Sequence, residues 1–298
     1  MGAGRGGYTA AARAAGFGMK TALIEKGELG GACVNTGCVP AKALLQATAV
    51  YRDMLQASRF GIIADNVRFD WKKMQGYKED SVKRFRSMIR RLLTKYEVDL
   101  IHGEATLNRE NRVEVKTADG ITELHGRNII LATGARQVIP DIPGVDLPQV
   151  MTSRQIMQVD DWNFDCLTVI GGGVIGVEIS TIFAALGSRV TLLEKSSRLL
   201  ENMDPVISEQ MEENLRSKGI EVHCGVTVME IKKRGEDTVF VNYREQGEWK
   251  SEAADRVLIA VGRKPDMKGV LADDCEVALQ DGVPIIKGTY KTTQENVY

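Results

Sequence analysis

The glycine pattern G-x-G-x-x-G occurs twice in this chain, and each copy is followed by a glutamate at the same distance. The glycines are Gly2, Gly4 and Gly7 in the first copy and Gly171, Gly173 and Gly176 in the second. After each copy comes a run that favours a helix and then a short apolar segment. That segment ends at Glu25 in one copy and at Glu194 in the other, 18 residues after the last glycine.

Each part of this pattern has a physical role in binding a dinucleotide. The first glycine allows a tight strand-to-helix turn, the second lets a pyrophosphate approach the backbone, and the third lets helix and strand pack closely. The helix amino terminus supplies N–H donors to the phosphates, and the final carboxylate can hold the ribose hydroxyls. The chain is therefore predicted to be α/β, with two Rossmann-like dinucleotide-binding domains.

The acid of the second copy also indicates which nucleotide is bound there. Glu194 would repel a phosphate on the ribose 2′ oxygen, which favours NAD over NADP. Lys195 and Arg198 follow closely and would weaken that repulsion.

The composition narrows the class of protein. Hydrophobic residues make up 43% and charged residues 27% of the 298 residues, which is ordinary globular usage and excludes a disordered or fibrous chain. With 39 Lys+Arg against 40 Asp+Glu, the net charge is -1, so we expect no nucleic-acid or membrane partner. The amino terminus lacks the apolar core of a secretory signal, which predicts a cytoplasmic protein.

One basic segment, residues 70–97, could be read as a nucleic-acid patch. Its apolar residues recur at helical spacing, so we expect an amphipathic helix with one face in the core and its charges in solvent. The residues expected on the core face are Val82, Phe85, Met88, Ile89, Leu92 and Leu93.

Cys33 and Cys38 form the one closely spaced cysteine pair. Five residues of regular helix rise roughly 7.5 Å, too far for a comfortable disulfide, so pairing needs an irregular loop. Residues 35–37 (Asn, Thr and Gly) allow such a loop. Pro40 suits the first turn of a helix predicted over about 41–58, whose positive end would stabilise a Cys38 thiolate. The pair is interpreted as a reducible, catalytic disulfide.

Other interpretations of the cysteines stay open at this point. Cys33 and Cys38 could be unpaired core residues. A zinc site would need a second closely spaced pair, whereas the remaining cysteines are scattered singly, so no metal is predicted. We expect these three, Cys166, Cys224 and Cys275, to be buried as small apolar side chains.

The segment over residues 30–42, G-G-x-C-x-N-x-G-C-V-P-x-K, lies between the two glycine patterns. Together with A-T-G at 132–134 and A-V-G-R-K-P at 260–265, it resembles the pyridine nucleotide-disulfide oxidoreductases over nearly the whole chain. Glu194, residues 42–45 and residues 203–204 make it most similar to those members that oxidise dihydrolipoamide with NAD.

The resemblance implies a flavoprotein enzyme of cell redox homeostasis. It would pass electrons between a dithiol or disulfide substrate and NAD through the Cys33–Cys38 disulfide and FAD, the substrate being a small molecule or a lipoyl carrier. One alternative is an NAD(P)H-dependent reductase of another disulfide or of a metal ion, as in glutathione and mercuric reductases. Another is a nucleotide-binding fragment without catalysis.

The resemblance also implies roles for single residues. Cys33 would exchange with substrate, Cys38 would lie against the flavin as a charge-transfer thiolate, and Lys42 would reach the flavin, paired with Glu178. Residues implied to contact FAD are Gly2, Gly4, Gly7, Glu25, Lys26, Gly30, Gly31, Lys42, Ala105, Thr133 and Gly134. Those implied for NAD or its surroundings are Gly171, Gly173, Val174, Ile175, Gly176, Glu178, Glu194, Val226 and Gly262.

Domain boundaries follow from the same comparison. We expect an FAD domain over residues 1–149, an inserted NAD domain over 150–263 and a return to the FAD domain over 264–298. Relative to the family pattern, we expect a fragment that lacks the first strand and a C-terminal dimerisation domain, and a homodimer for the full-length protein.

Overall fold

The computed structural model describes residues 1–160, 162 and 164–298 of the chain. These residues divide into two compact units. Unit 1 comprises Met1–Val39, Asp80–Arg136 and Arg263–Tyr298, and unit 2 comprises Pro40–Glu79 and Gln137–Gly262. These units group residues 40–79 with the later part of the chain. The assignment of an FAD domain and an NAD domain with boundaries near 149 and 263 stays a prediction.

Helices form where the sequence supplies helix formers and capping residues. They are α1 (Arg5–Gly16), α2 (Gly31–Asn35), α3 (Cys38–Leu55), a 3₁₀ turn (Ala57–Phe60), α4 (Trp71–Lys95), α5 (Ser153–Ile156), α6 (Val174–Ala185) and α7 (Pro205–Ser217). Helix α1 is rich in alanine, the residue with the highest helix propensity. At α7 the Asp204 carboxylate accepts the N–H of Val206 and Pro205 is the first helical residue, an ordinary way to begin a helix.

Most of the strands are short, and many follow one another without an intervening helix. They are β1 (Ala22–Glu25), β2 (Asp99–His102), β3 (Glu104–Leu107), β4 (Arg112–Thr117), β5 (Gly120–His125), β6 (Ala135–Gln137), β7 (Val150–Thr152), β8 (Cys166–Ile170), β9 (Arg189–Glu194), β10 (Glu221–Cys224), β11 (Val226–Arg234), β12 (Thr238–Glu245), β13 (Glu248–Ala254), β14 (Arg256–Ile259), β15 (Arg263–Pro265), β16 (Leu279–Gln280) and β17 (Val283–Pro284).

Unit 2 is built on a five-stranded parallel sheet in the order β10-β9-β8-β14-β7. Successive side chains of its strands point to opposite faces. Val169, Leu192 and Leu258 pack with the apolar helix α6 in one core cluster. Their neighbours Ile170 and Leu193 belong to a second cluster formed with the antiparallel sheet β11-β12-β13. Both faces are therefore covered, which explains why these strands are continuous apolar runs.

Unit 1 also has a parallel sheet beside its glycine turn, but only two strands pair in it. Strands β1 and β2 pair in parallel, from Ala22 opposite Asp99 to Glu25 opposite His102. Met1 stands where β8 stands in unit 2, because the N–H of Gly2 donates to Ile24 O (2.8 Å) and Met1 O accepts the N–H of Ala132 (2.8 Å). A separate antiparallel sheet, β3-β4-β5, completes the core of this unit.

The sequence over residues 128–132 predicts a buried strand that leads into a turn at residues 133–134, but this prediction is wrong as a continuous strand. Only Ile129 forms a bridge, opposite Val297, although Leu131 N–H also donates to Tyr298 O at 2.7 Å. Its backbone partners are single residues on either side, so no ladder of consecutive pairs builds up. The chain is nevertheless extended here and leads into the turn at Thr133 and Gly134 as expected.

Helix α4 confirms the predicted amphipathic helix but buries a narrower face than expected. Val82, Ile89 and Leu93 are buried, whereas Phe85 and Met88 are 45% and 54% exposed. Residues 82, 89 and 93 share one helical stripe, and 85 and 88 lie on the adjacent one. The prediction that all six apolar residues face the core is therefore wrong. Within the described residues, no helix combines the length and apolarity needed to cross a bilayer.

Candidate nucleotide sites and redox cysteines

The first glycine turn is closed by the carboxylate that ends β1. Glu25 Oε2 accepts the N–H of Ala3 (2.6 Å), and Glu25 Oε1 accepts the N–H of Gly27 (2.8 Å). The acid at the end of the strand is thereby fixed beside the turn between Met1 and α1. Each carboxylate oxygen keeps a free lone pair for a ribose hydroxyl.

The second glycine turn has the same hydrogen bonds. Glu194 Oε2 accepts the N–H of Gly172 (2.5 Å), and Glu194 Oε1 accepts the N–H of Ser196 (2.6 Å). The N–H of Gly171 donates to Leu193 O at 2.8 Å, the counterpart of the bond made by Gly2. The equal spacing in the two sequence copies therefore corresponds to equal backbone chemistry in the two units.

The third and second glycines of each pattern are required for different reasons. A Cβ on Gly7 would lie 1.7 Å from Gly2 O, and one on Gly176 would lie 1.9 Å from Gly171 O. Nothing lies within 4 Å of a Cβ on Gly173. The third glycine is thus needed for the fold, whereas the second borders open space that a ligand can use.

A cavity of about 480 Å³ opens beside the first glycine turn. Of the residues predicted to bind FAD, it is lined by Gly2, Gly4, Glu25, Lys26, Gly30, Gly31, Ala105, Thr133 and Gly134, and it also includes Cys33. Gly7 packs inside the turn and Lys42 belongs to unit 2, so these two predicted residues do not line the cavity. The structure therefore brings nearly all of this predicted set to one place within unit 1.

A cavity of about 690 Å³ opens beside the second glycine turn. Of the predicted NAD set, it is lined by Gly171, Gly173, Val174, Glu194, Val226 and Gly262. Ile175 and Gly176 lie in the first turn of α6 and do not line the cavity. Glu178 does not line the cavity either, and its side chain instead pairs with Lys42, as described below.

Two short helices carry the cysteine pair. Cys33 lies in α2, the helix breaks at residues 36–37, and Cys38 is the first residue of α3. The α3 helix thus begins three residues earlier than predicted and ends at Leu55, with Pro40 in its first turn. The break supplies the irregular loop that the spacing requires.

Close packing holds this motif against the first glycine turn. Gly31 has a φ of +59°, and a Cβ there would lie 2.6 Å from Gly4 Cα. The Asn35 side chain donates to Gly31 O (2.8 Å) and Leu29 O (3.1 Å), and its oxygen accepts Arg86 Nε (2.6 Å). The side chains of the motif are therefore positioned by backbone contacts with the turn itself.

Cys33 and Cys38 are both free thiols in this structure. Burial raises the pKa of the Cys33 thiol above its ordinary value, and the adjacent Cys38 side chain raises it further. The nearby charge of Arg5 acts in the opposite direction. The two sulfurs therefore interact across the helix break, although five residues separate them in sequence.

Lys42 and Glu178 form an ion pair within unit 2. Lys42 lies on α3, and Glu178 lies on α6 four residues after Val174, so Val174 and Glu178 share a face of that helix. The Lys42 side chain is 65% exposed and that of Glu178 is 18% exposed. The pairing implied by the family resemblance is confirmed.

The other three cysteines are only half-buried, so the prediction of full burial is wrong for them. Burial, followed by the charges of Glu212 and Glu194, raises the pKa of the Cys224 thiol to about 11. Burial also raises the pKa of the Cys275 thiol, whose Sγ donates to Gln294 Oε1. Cys166 Sγ accepts from Arg189 Nη2 at 3.3 Å. Across residues 1–160, 162 and 164–298, no three His, Cys, Asp or Glu side chains group as metal ligands would.

Sequence reasoning missed several cavity residues. Ser196 could have been found, because it follows Glu194 by two residues as Gly27 follows Glu25. Arg5 occupies the same position in the first copy as Val174 in the second, so aligning the copies would also have marked it. Glu201 lines the unit 2 cavity and has no signal in the glycine pattern.

Comparison with known proteins agrees with this geometry. The chain is 37% identical over 271 residues to a dihydrolipoyl dehydrogenase of Geobacillus stearothermophilus, covering 89% of this chain and 56% of that protein. It is 30% identical over 309 residues to one of Bacillus subtilis, covering 100% of this chain and 65% of that protein. The chain thus spans about three fifths of the length of these relatives.

A solved structure gives the same result. The HOCl-induced flavoprotein disulfide reductase RclA from Escherichia coli matches with a TM-score of 0.82 and 29% identity, covering 100% of this chain and 63% of that one. The predicted α/β fold with two Rossmann-like domains is confirmed. The family model for pyridine nucleotide-disulphide oxidoreductases matches residues 1–298, and members of that family use FAD and NAD. The chain belongs to the pyridine nucleotide-disulphide oxidoreductase family.

Proposed function

We propose that this chain is the nucleotide-binding and redox-cysteine part of an enzyme that moves electrons between a dithiol substrate and NAD. The observation that carries the proposal is the contact between the cysteine motif and the first glycine turn, where a Cβ on Gly31 would lie 2.6 Å from Gly4 Cα. That contact holds Cys33 in the wall of the same cavity as the predicted flavin-binding residues.

Both cavities fit the nucleotides assigned to them. Each is bordered by a glycine without a side chain, a helix amino terminus and a carboxylate with free lone pairs, which are the partners of a pyrophosphate and a ribose. We assign FAD to the cavity of unit 1, because it contains Cys33, and NAD to that of unit 2. When bound, the flavin would supply two-electron transfer between the cysteines and a nicotinamide.

The cysteines would perform thiol–disulfide exchange. A substrate thiolate attacks Cys33 Sγ of the oxidised pair, which breaks the disulfide, forms a mixed disulfide with Cys33 and releases the Cys38 thiolate. The second substrate thiol then attacks the substrate sulfur of the mixed disulfide and releases Cys33. The substrate leaves as a disulfide, and its two electrons are now on the reduced cysteine pair. The proton of the second substrate thiol ends on Cys33, and the proton lost when the first substrate thiol ionised is in solvent.

The raised pKa of the Cys33 thiol favours this division of roles. Because burial and the Cys38 side chain raise the pKa of Cys33, a second negative charge on Cys33 is disfavoured. Cys38, as the first residue of α3, lies where a helix terminus stabilises an anion. Cys33 is thereby suited to hold a proton between exchange steps.

Dihydrolipoamide is the substrate best supported by the relatives, several of which are named dihydrolipoyl dehydrogenase. We further propose a homodimer for the full-length protein and a cytoplasmic location, both on the family resemblance alone. A second candidate is reduction of a metal ion, supported by the solved Cu(II) complexes of RclA, which match this chain at 28% and 29% identity. Activity with dihydrolipoamide and NAD, compared with NADH-driven Cu(II) reduction, separates the two.

The visible spectrum of the FAD-reconstituted chain tests the redox roles. We expect bound flavin, and a long-wavelength charge-transfer band after anaerobic reduction. The C33S variant should show that band without reduction, because its Cys38 is always free, and the matched C38S variant should lack it. A band that persists in C38S would contradict the role of Cys38. A colourless protein would contradict FAD binding by this chain and favour a role without catalysis.

A further inference from the structure

A second carboxylate reaches the cavity of unit 2 from the loop that follows β9. Glu201 lines this cavity together with Glu194, Lys195 and Ser196. Ser196 joins the two acids: its N–H donates to Glu194 Oε1 (2.6 Å) and its hydroxyl donates to Glu201 Oε2 (2.8 Å). Because one residue bonds to both carboxylates, Glu201 is held at the same end of the cavity as Glu194.

Arg198, one of the two cations that could offset these charges, does not line the cavity. Arg198 Nη2 donates to the main-chain oxygen of Glu201 at 2.9 Å. Its Nε is buried and has no hydrogen-bond partner among the described residues. Of the two basic residues that follow Glu194, only Lys195 lines the cavity.

We propose that Glu201 is a second specificity-determining residue, which acts with Glu194 to exclude a phosphate from the 2′ oxygen of the adenosine ribose. The proposal rests on NAD binding in this cavity, as argued above. Glu201 would thus act beside Glu194, the acid at the end of β9, although the glycine pattern does not mark it.

The physical basis is the balance of charge at one end of the cavity. A phosphate ester carries close to two negative charges at neutral pH and binds best to an arginine fork. Here it would meet two carboxylates and one lysine, and the nearby arginine is already bonded to the backbone. A ribose hydroxyl carries no charge and can donate to either carboxylate, so NAD is not penalised.

Nucleotide binding to the purified chain tests this without any turnover. The probes are NADH and NADPH, followed by the fluorescence of the nicotinamide at low and at high salt. The E201Q variant keeps an oxygen to accept the Ser196 hydroxyl and removes only the charge. Its Kd for NADPH should fall by roughly threefold to tenfold, and its Kd for NADH should stay within about twofold. High salt should reduce this gain in NADPH affinity, because the Glu201 carboxylate is exposed and salt screens its charge.

Two further variants serve as controls. E194Q should weaken NADH binding, unlike E201Q, because its amide NH2 replaces one of the two oxygens that accept the N–H groups of Gly172 and Ser196. R198Q should leave both nucleotides unchanged, because Arg198 does not line the cavity. Equal changes for NADH and NADPH in E201Q, or a loss of NADPH binding in R198Q, would overturn the inference. A wild-type chain that binds neither nucleotide would instead contradict the proposed function, provided its unfolding transition is normal.

Discussion

The two glycine turns of this molecule share their backbone chemistry and differ in the side chains around it. In both, the carboxylate at the end of the second strand accepts two N–H groups, one from the turn and one from two residues further on. The first residue of the helix that follows the glycine turn differs, however. It is Arg5 in α1 of unit 1 and Val174 in α6 of unit 2. In the proposed function, the shared backbone chemistry binds a dinucleotide at each turn, and the differing side chains determine the chemistry beside it.

The second glycine shows the difference most clearly. In unit 1 the cysteine motif packs on Gly4 through Gly31, whereas the space beside Gly173 in unit 2 is open. Close backbone contacts, including the hydrogen bond from Gly30 N–H to Ala3 O (2.9 Å), therefore connect this glycine turn to the cysteine motif. The turn of unit 2 has no such contact, and the wall of its cavity is formed by the loop with Ser196 and Glu201 instead.

The largest effect is expected from alanine at the third glycine of either copy. G7A or G176A would place a Cβ within 1.7 or 1.9 Å of a backbone oxygen, and backbone cannot yield as a side chain can. We expect each to lower the free energy of unfolding by about 3 kcal/mol or more. Chemical denaturation measures this. Wild-type stability in both variants would show that the two turns are not built as described.

The next effect concerns the contact that is unique to unit 1. G31A adds both a Cβ against Gly4 Cα and a side chain at a φ of +59°. We expect a loss of about 2 kcal/mol together with weaker FAD binding. Gly61 is the matched control, because its φ is +72° and nothing lies within 4 Å of its Cβ. G61A should cost about 1 kcal/mol and leave FAD binding intact. Equal effects of the two substitutions on FAD binding would contradict the contact.

The ionisation of Cys33 distinguishes the redox cysteines from an ordinary pair. Because its pKa is raised, the rate of Cys33 alkylation by iodoacetamide should climb at a higher pH than for a free thiol. Removing the Cys38 thiol in C38S takes away one cause of the raised pKa, so the midpoint should move to lower pH. The measurement is the rate against pH with Cys33 identified by peptide mapping. An unchanged midpoint in C38S would show that the sulfurs do not interact.

The smallest stability effect is expected for the ion pair of Lys42 and Glu178. Lys42 is 65% exposed at its side chain, so water screens most of the attraction. K42M and E178Q should each change the free energy of unfolding by no more than about 0.5 kcal/mol. If the pair serves the flavin, both variants should still slow flavin reduction by NADH markedly. A large loss of stability with normal reduction would assign the pair a structural role instead.

Much of the fold could be predicted because its signals are local. The fingerprints marked α1, α6 and the glutamates at both strand ends, and Gly37 and Pro40 marked the helix break. Other features depend on packing between distant residues. The segment at 128–132 lacks a ladder because its partners are Met1 and residues 296–298, and Phe85 and Met88 are exposed because α4 contacts its neighbours along one stripe only.

The candidate site shows the same division. The Lys42–Glu178 pair was found through resemblance, since no local spacing joins residues 136 positions apart. Glu201 was missed because it reaches the cavity through a bond to Ser196 and not through its place in a repeated pattern. Aligning the two copies with each other would have recovered Arg5 and Ser196.

The central claim is that the two similar turns bind different nucleotides independently, and alanine at the second glycine tests it most directly. A Cβ on Gly4 would make only an ordinary contact, at 3.8 Å, and one on Gly173 would meet nothing within 4 Å, so both variants should fold. Calorimetric titration should show that G4A loses FAD binding and keeps NADH binding, and that G173A does the reverse. A folded variant that loses both nucleotides would show that the two turns do not bind them independently. If G4A keeps FAD and G173A keeps NADH, the two turns are not the binding sites of these nucleotides.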